Sequence, residues 1–274
     1  MHRPFKMDVK NCIFCGARPL SKEHIWSKWT YELFPQRSDW RHERVVFKSS
    51  PDDRIARLAA NRSFQGDVST VKVRAVCAEK CNNGWMSRLE ARAKPVLTKL
   101  ISGSACRLTT NDQELIAAWI SMKVLVLEFG TSVGPISSAE NRTRVMTHAV
   151  PPPRWHIWIA MHEAKQWRSG FMRNAAGVTL VPKGAPRPPR LEGPQNTQFI
   201  LLGIGHLLFV IFSSHVVENI SLPNHYRASL RKIHPVANEV IWPPLQLLRD
   251  IEIEDHLAAV FTNFLDGMEW IPGV

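Results

Sequence analysis

The sequence predicts an α+β protein: a small cysteine-knuckled unit, a helical middle and an antiparallel sheet. Three observations predict it. Two close cysteine pairs lie in the first 81 residues, Cys12 with Cys15 and Cys77 with Cys81. A long helix-patterned stretch follows over Asn111–Phe129, and after Pro151-Pro152-Pro153 the texture changes to short apolar alternations. With 274 residues, 45% apolar and 22% charged, the chain can bury a sizeable core, which excludes disorder, collagen and coiled coil as whole-chain descriptions.

Along the chain, Ile25, Trp26, Trp29 and Leu33 recur at helical spacing, so Ser21–Leu33 is expected to be helical. Residues 36–68 read as a basic insertion of loops with a short helix, and Ser49-Ser50-Pro51-Asp52-Asp53 as a turn within it. Ser69–Val76 alternates Val71, Val73 and Ala75 with Lys72 and Arg74, as a strand does. Trp85–Ile101 reads as a helix kinked or split at Pro95. Ser102-Gly103-Ser104 marks a boundary between units 1–104 and 105–274. Asn111 with Glu114 fits a capping box and Gly130 a helix stop, and Ser137–His148 is a weaker helix. Strands are expected at Trp155–His162, Gln166–Arg173, Gly177–Val181, Gln198–Leu202 and His206–Ser213, a loop at 182–194, and a helix at Glu254–Leu265. Phe199–Phe212 is too short for a bilayer span and is broken by Gly203-Ile204-Gly205, so it reads as two buried strands meeting at a turn. Met1–Lys10 lacks an apolar leader, so no membrane association and a cytoplasmic location are expected.

Charge is uneven. Residues 1–105 carry 20 Lys/Arg against 10 Asp/Glu, while the remainder is nearly balanced, within a total of +11. Such asymmetry points to a polyanionic partner. Lys22, Lys28, Arg41, Arg44, Lys72, Arg74, Arg88 and Arg92 are the cations best placed to meet phosphates. Trp26, Trp29 and Trp85 are expected to pack the core, not to stack on bases. The histidines after residue 140 are scattered, and Cys106 stands alone.

Five cysteines and no leader argue against disulfides. Paired soft ligands suit tetrahedral zinc, and Gly16 after Cys15 suits the tight turn of a zinc knuckle. The second pair is C-x3-C, and 61 residues separate it from the first. Glu23-His24 follows the first knuckle, and Asn82-Asn83-Gly84-Trp85 the second. A zinc joining the knuckles would let Glu23, His24 and Asn82 converge: hard oxygen donors for Mg²⁺ beside an imidazole able to take a proton.

The order C-x2-C-G, Glu-His, then a cysteine pair ending in Cys-Asn resembles the HNH nuclease superfamily with its ββα-metal finger. It is most similar to the zinc-stapled, endonuclease VII-like branch, over residues 10–100. The stretch from Cys81 to Glu90 is similar to many phage and bacterial HNH-like proteins of unassigned role, and a phage-borne or bacterial-defence origin is expected for the chain. The resemblance implies a metal-dependent DNA endonuclease with His24 as general base and structural zinc on Cys12, Cys15, Cys77 and Cys81. It places catalytic Mg²⁺ or Mn²⁺ on Glu23 and Asn82, with Asn83 as an alternative ligand and Asn61 as a candidate for the central Asn. The sequence has Glu where Asp is commoner before the histidine. A catalytically inactive zinc-stabilised nucleic-acid-binding protein, or an RNase with the same finger, are the alternatives.

Overall fold

The computed structural model describes residues 9–34, 39, 41–50, 53–131, 134–179, 195–220, 224–253 and 257, with the side chains of 43–50, 53–61, 74–76 and 225 outside that description. The expected loop at 182–194 and helix at 254–265 fall largely outside the described residues, as do the side chains of Arg44, Asn61 and Arg74.

The first half is built on strands. β1 (Leu20–His24) pairs antiparallel with β4 (Lys72–Ala78). Between them, β2 (Arg41–Ser50) and β3 (Asp53–Gln65) form a long two-stranded ribbon. Two expectations are corrected here. The segment after Ser21 is a strand followed by a 3-10 turn at Lys28–Glu32, not a helix. Trp26 and Thr30 are fully buried and Ile25 nearly so, which explains the apolar spacing without helical periodicity. The basic insertion is a β-ribbon; of the expected turn at Ser49–Asp53, positions 49, 50 and 53 belong to its strands and residues 51–52 lie outside the described residues.

After β4 come α1 (Glu79–Cys81), a π turn at Asn82–Met86, and α2 (Ser87–Ile101). α2 passes through Pro95 without splitting, with Leu89, Ala93, Leu97 and Leu100 buried along one face. β5 (Cys106–Leu108) leads into α3 (Thr110–Leu127), whose capping box is Thr109 with Asp112, two residues ahead of the Asn111–Glu114 pair expected. α4 (Ala139–His148) is capped by the Ser138 hydroxyl. α3 is buried along almost its whole length, as the central element of the core must be.

The second half is an antiparallel five-stranded sheet in the order β10-β6-β9-β8-β7. Its members are β6 (Trp155–Met161), β7 (Phe171–Ala176), β8 (Thr197–Ile204), β9 (Leu207–Ser214) and β10 (Leu230–His234). β8 and β9 are the expected pair from the apolar run, joined at Gly205-His206 and buried throughout. The strand expected at Gln166–Arg173 is instead a 3-10 turn (Trp167–Ser169) preceding β7, and Gly177–Thr179 forms no strand. β11 (Val240–Trp242) pairs with β5, and α5 (Asp250–Glu252) follows. No described helix is long and apolar enough to cross a membrane.

One cluster of buried apolar side chains includes Phe14, Trp26 and Met86 together with Trp119, Phe209 and Trp242. Polar stitches run across it. Trp26 Nε1 donates to the Gly203 carbonyl at 2.8 Å, and Arg142 Nε donates to the Ile13 carbonyl at 2.8 Å. Buried Asp67 accepts from the Ser69 N–H, from Arg168 and from the hydroxyl of Ser169, each at 3.0 Å; against burial, which alone would raise it, these hydrogen bonds, the Ser69 N–H first, hold its carboxyl below the usual range.

Gly203 is where β8 passes closest to the 3-10 turn: a Cβ there would lie 1.9 Å from the Trp167 carbonyl oxygen. Gly203→Ala is expected to lower unfolding free energy by about 1–3 kcal/mol. Leu245→Ser, at a residue 92% exposed, is expected to change it by less than about 0.5 kcal/mol. Urea denaturation of both variants checks the pair.

Candidate metal centre and adjoining acid–histidine site

The first knuckle is a tight turn. Gly16 N–H donates to the Cys12 carbonyl at 3.0 Å, Cys12 N–H to the Ala17 carbonyl at 3.1 Å, and Cys15 N–H to Cys12 Sγ at 3.5 Å. Gly16 sits at φ +69°, a conformation that favours a residue without Cβ. The second knuckle is the β4–α1 junction, where Glu79 N–H donates to the Pro19 carbonyl and so ties the two knuckles together.

Cys12, Cys15 and Cys81 bring their sulfurs within 4.8 Å of one another and can hold a metal ion. Cys12 Sγ and Cys81 Sγ are 3.8 Å apart. Two thiolates on tetrahedral zinc, with Zn–S near 2.3 Å, are separated by about 3.8 Å, so the triad fits zinc in donor type and spacing. Three of the four expected cysteines thus converge. Cys77 stands outside the group, fully buried on β4 across from Ser21. Burial raises its thiol pKa, and the nearby Glu23, Cys12 and Cys81 raise it further. The Cys81 thiol is pushed up to about 12, first by burial. A bound cation would reverse both effects. Cys106 lies apart on β5.

Asn82 follows Cys81 directly. Its Nδ2 donates to Ser21 Oγ at 3.2 Å and to the Lys22 carbonyl at 3.4 Å. The start of the long helix is thereby laid against the strand that carries Glu23 and His24. β1, β4 and the helix together make a ββα-like region. The π turn at Asn82–Met86, with Gly84 out of helical geometry at ψ −109°, lets the helix change direction just beyond Asn82. Asn83 is exposed.

Glu23 and His24 differ in surroundings. A break in the β1–β4 register between Ser21 and Glu23 accompanies a buried Glu23. There Lys123, from the C-terminal part of α3, donates to Glu23 Oε1 at 2.7 Å, to the His24 carbonyl at 3.2 Å, and lies 3.1 Å from Glu90 Oε2. The lysine side chain is 1% exposed and that of Glu23 8%. Burial disfavours the ammonium, but the two carboxylates outweigh it and the Lys123 pKa lies above the usual value. His24 is half-buried, and its pKa is held down at about 4 by burial first, then by the charges of Lys72, Lys28 and Lys123. It is a neutral imidazole at pH 7.

Lys123 and Glu90 had no place in the expected site. A signal existed: a lysine inside the apolar stretch Ile116–Leu127 must be buried, and a buried ammonium needs a carboxylate. Of the expected phosphate-facing cations, Lys22, Lys28, Arg41, Lys72, Arg88 and Arg92 are exposed or nearly so. The three tryptophans pack as expected. Trp26 is fully buried, Trp85 meets Phe14 edge-on at 5.0 Å, and Lys94 sits 5.5 Å above the Trp29 ring. Among the described residues the cysteine triad is the sole His/Cys/Asp/Glu group close enough to hold a metal.

Lys123→Met leaves two carboxylates without their cation and is expected to cost about 3–5 kcal/mol of stability. Adding Glu23→Gln and Glu90→Gln to Lys123→Met is expected to recover part of that loss. A thermodynamic cycle by chemical denaturation measures the coupling.

No protein-family model, no curated protein and no solved structure matches the chain.

Proposed function

We propose that the chain is a metal-dependent endonuclease of HNH type that hydrolyses phosphodiester bonds in DNA. The observation that carries this proposal is the pair of hydrogen bonds from Asn82 to Ser21 and Lys22, which sets an amide beside Glu23-His24 at the start of the helix. Core packing alone does not ask for an Asn, a Glu and a His at that junction.

His24, neutral at pH 7, accepts the proton of the attacking water. Lys22, Lys28, Lys72, Arg88 and Arg92 are exposed and, in this reading, draw in the phosphate backbone. Structural zinc would be held by Cys12, Cys15 and Cys81, with Cys77 as the proposed fourth ligand. A carboxylate oxygen of Glu23 and the amide oxygen of Asn82, or of Asn83, form a donor set that Mg²⁺ or Mn²⁺ accepts when water completes the shell. Bound there, the ion supplies charge neutralisation at the scissile phosphate and the leaving alkoxide. Residues 1–104 carry this chemistry, and Lys123 holds Glu23 and the His24 backbone in place.

The same lysine favours a second reading. An ammonium already compensates Glu23, as in a zinc-stabilised nucleic-acid-binding protein without catalysis.

Supercoiled plasmid, incubated with zinc-loaded protein and Mg²⁺ or Mn²⁺, tests the two. Nicking that EDTA abolishes, and that His24→Ala reduces by about 10²-fold or more with DNA affinity retained, is the expected result. Folded protein that binds the plasmid and leaves it intact supports the second reading. Cleavage of RNA alone would move the substrate to RNA.

A further inference from the structure

We propose that Ser21 is a positioning residue for the candidate cation site: its hydroxyl decides which end of the Asn82 amide is left for a metal. The proposal deepens the reading of Asn82 as a ligand for Mg²⁺ or Mn²⁺, and rests on it.

The hydrogen bonds permit one orientation. Ser21 stands opposite Cys77 in the β1–β4 register, and its hydroxyl donates to the Cys77 carbonyl at 3.2 Å. A serine hydroxyl has a single proton. With that proton given to Cys77, Oγ can only accept. The Lys22 carbonyl can only accept as well, and Lys22 lies where the register breaks between Ser21 and Glu23. The end of the Asn82 side chain that meets these two oxygens, at 3.2 and 3.4 Å, must therefore be Nδ2. Turning the amide over would set Oδ1 against two acceptors. Among the described residues no hydrogen bond to Oδ1 occurs.

Orientation matters because the two ends of the amide have similar shape and opposite polarity. Oδ1 carries the lone pairs that a hard cation takes. Nδ2 carries only protons, which repel one. A freely turning amide would offer either end. The constraint here runs in a chain, from the Cys77 carbonyl through the Ser21 hydroxyl to the Asn82 amide. Cys81 fixes the Asn82 backbone by adjacency, and Ser21 fixes its side chain. Packing does not ask for the hydroxyl: Ser21 is only partly buried.

The test uses full-length, zinc-loaded protein without nucleic acid. Free Mn²⁺ is followed by electron paramagnetic resonance during titration. Ser21→Thr and Ser21→Val are compared, since both suit a strand and differ in hydroxyl against methyl. Ser21→Val and Ser21→Ala are expected to weaken Mn²⁺ binding by about 10- to 100-fold, as loss of a group that orients a ligand does. Ser21→Thr is expected to bind like the parent. Ser102→Ala, exposed at the far end of α2, is expected to change nothing, and zinc content is expected to be equal throughout. The second readout is the Asn82 side-chain amide signal in NMR without Mn²⁺, assigned by its loss in Asn82→Asp. It should exchange slowly with water in the parent and in Ser21→Thr, and faster in Ser21→Val.

Equal Mn²⁺ affinity in the parent and Ser21→Val, or Ser21→Thr as weak as Ser21→Val, overturns the proposal alone. So does an Asn82 amide that exchanges in the parent as fast as a free side chain, a measurement that needs no variant to fold. A parent that binds no Mn²⁺ while its Asn82 amide is protected contradicts the cation site itself, and the proposal falls with it.

Discussion

The convergence of three sulfurs is the constraint on which the candidate site depends. Cys12 and Cys81 are 69 residues apart in sequence and 3.8 Å apart in space. Closing so long a loop costs chain entropy, and a metal ion that bound only the closed form would offset that cost. Once the knuckles are fixed, the Ser21–Cys77 register of β1 on β4 follows, and Cys81 delivers Asn82 to the strand that carries Glu23 and His24.

The second constraint comes from outside the knuckles. A buried lysine between two carboxylates leaves one net negative charge in a region whose surface is strongly basic. Such a group contributes little beyond a well-packed apolar substitute, yet losing one member strands the others. It therefore specifies position: α3 can dock only where Nζ reaches Glu23, Glu90 and the His24 carbonyl together. The acid–histidine pair is thus braced from the helical layer, and Trp26 is braced from the sheet by the Gly203 carbonyl. A second buried polar group works in the same manner. Glu128 accepts from Ser137 and Gln198, with Arg173 close by, and burial raises its pKa. It joins the end of α3 to the sheet.

Much of this was legible in the residues, and the exceptions have physical causes. Val71, Val73 and Ala75 announced β4, and the apolar run ending at Phe212 announced a buried hairpin, because period-2 patterning and length are strong signals. The strand at Leu20–His24 was hidden because Ile25 and Trp26 are buried on consecutive positions, mimicking a helical stripe. The ribbon was hidden because charged residues interrupt the apolar pattern in both of its strands and no glycine stands between them in the sequence. The cap at Thr109 lost to Asn111 in sequence because both are good N-cap types with an acid three residues on. At the site, the knuckles and the Asn82 junction could be read from spacing. Lys123 could not be assigned to Glu23, since 100 residues separate them.

X-ray absorption at the zinc edge of the purified full-length chain tests the central claim most directly. One zinc per chain with at least three sulfurs at about 2.3 Å is the predicted result. A fourth sulfur would add Cys77 to the shell. A folded protein with no bound metal, or a metal ligated only by nitrogen and oxygen, would contradict the claim that the sulfur triad builds this site.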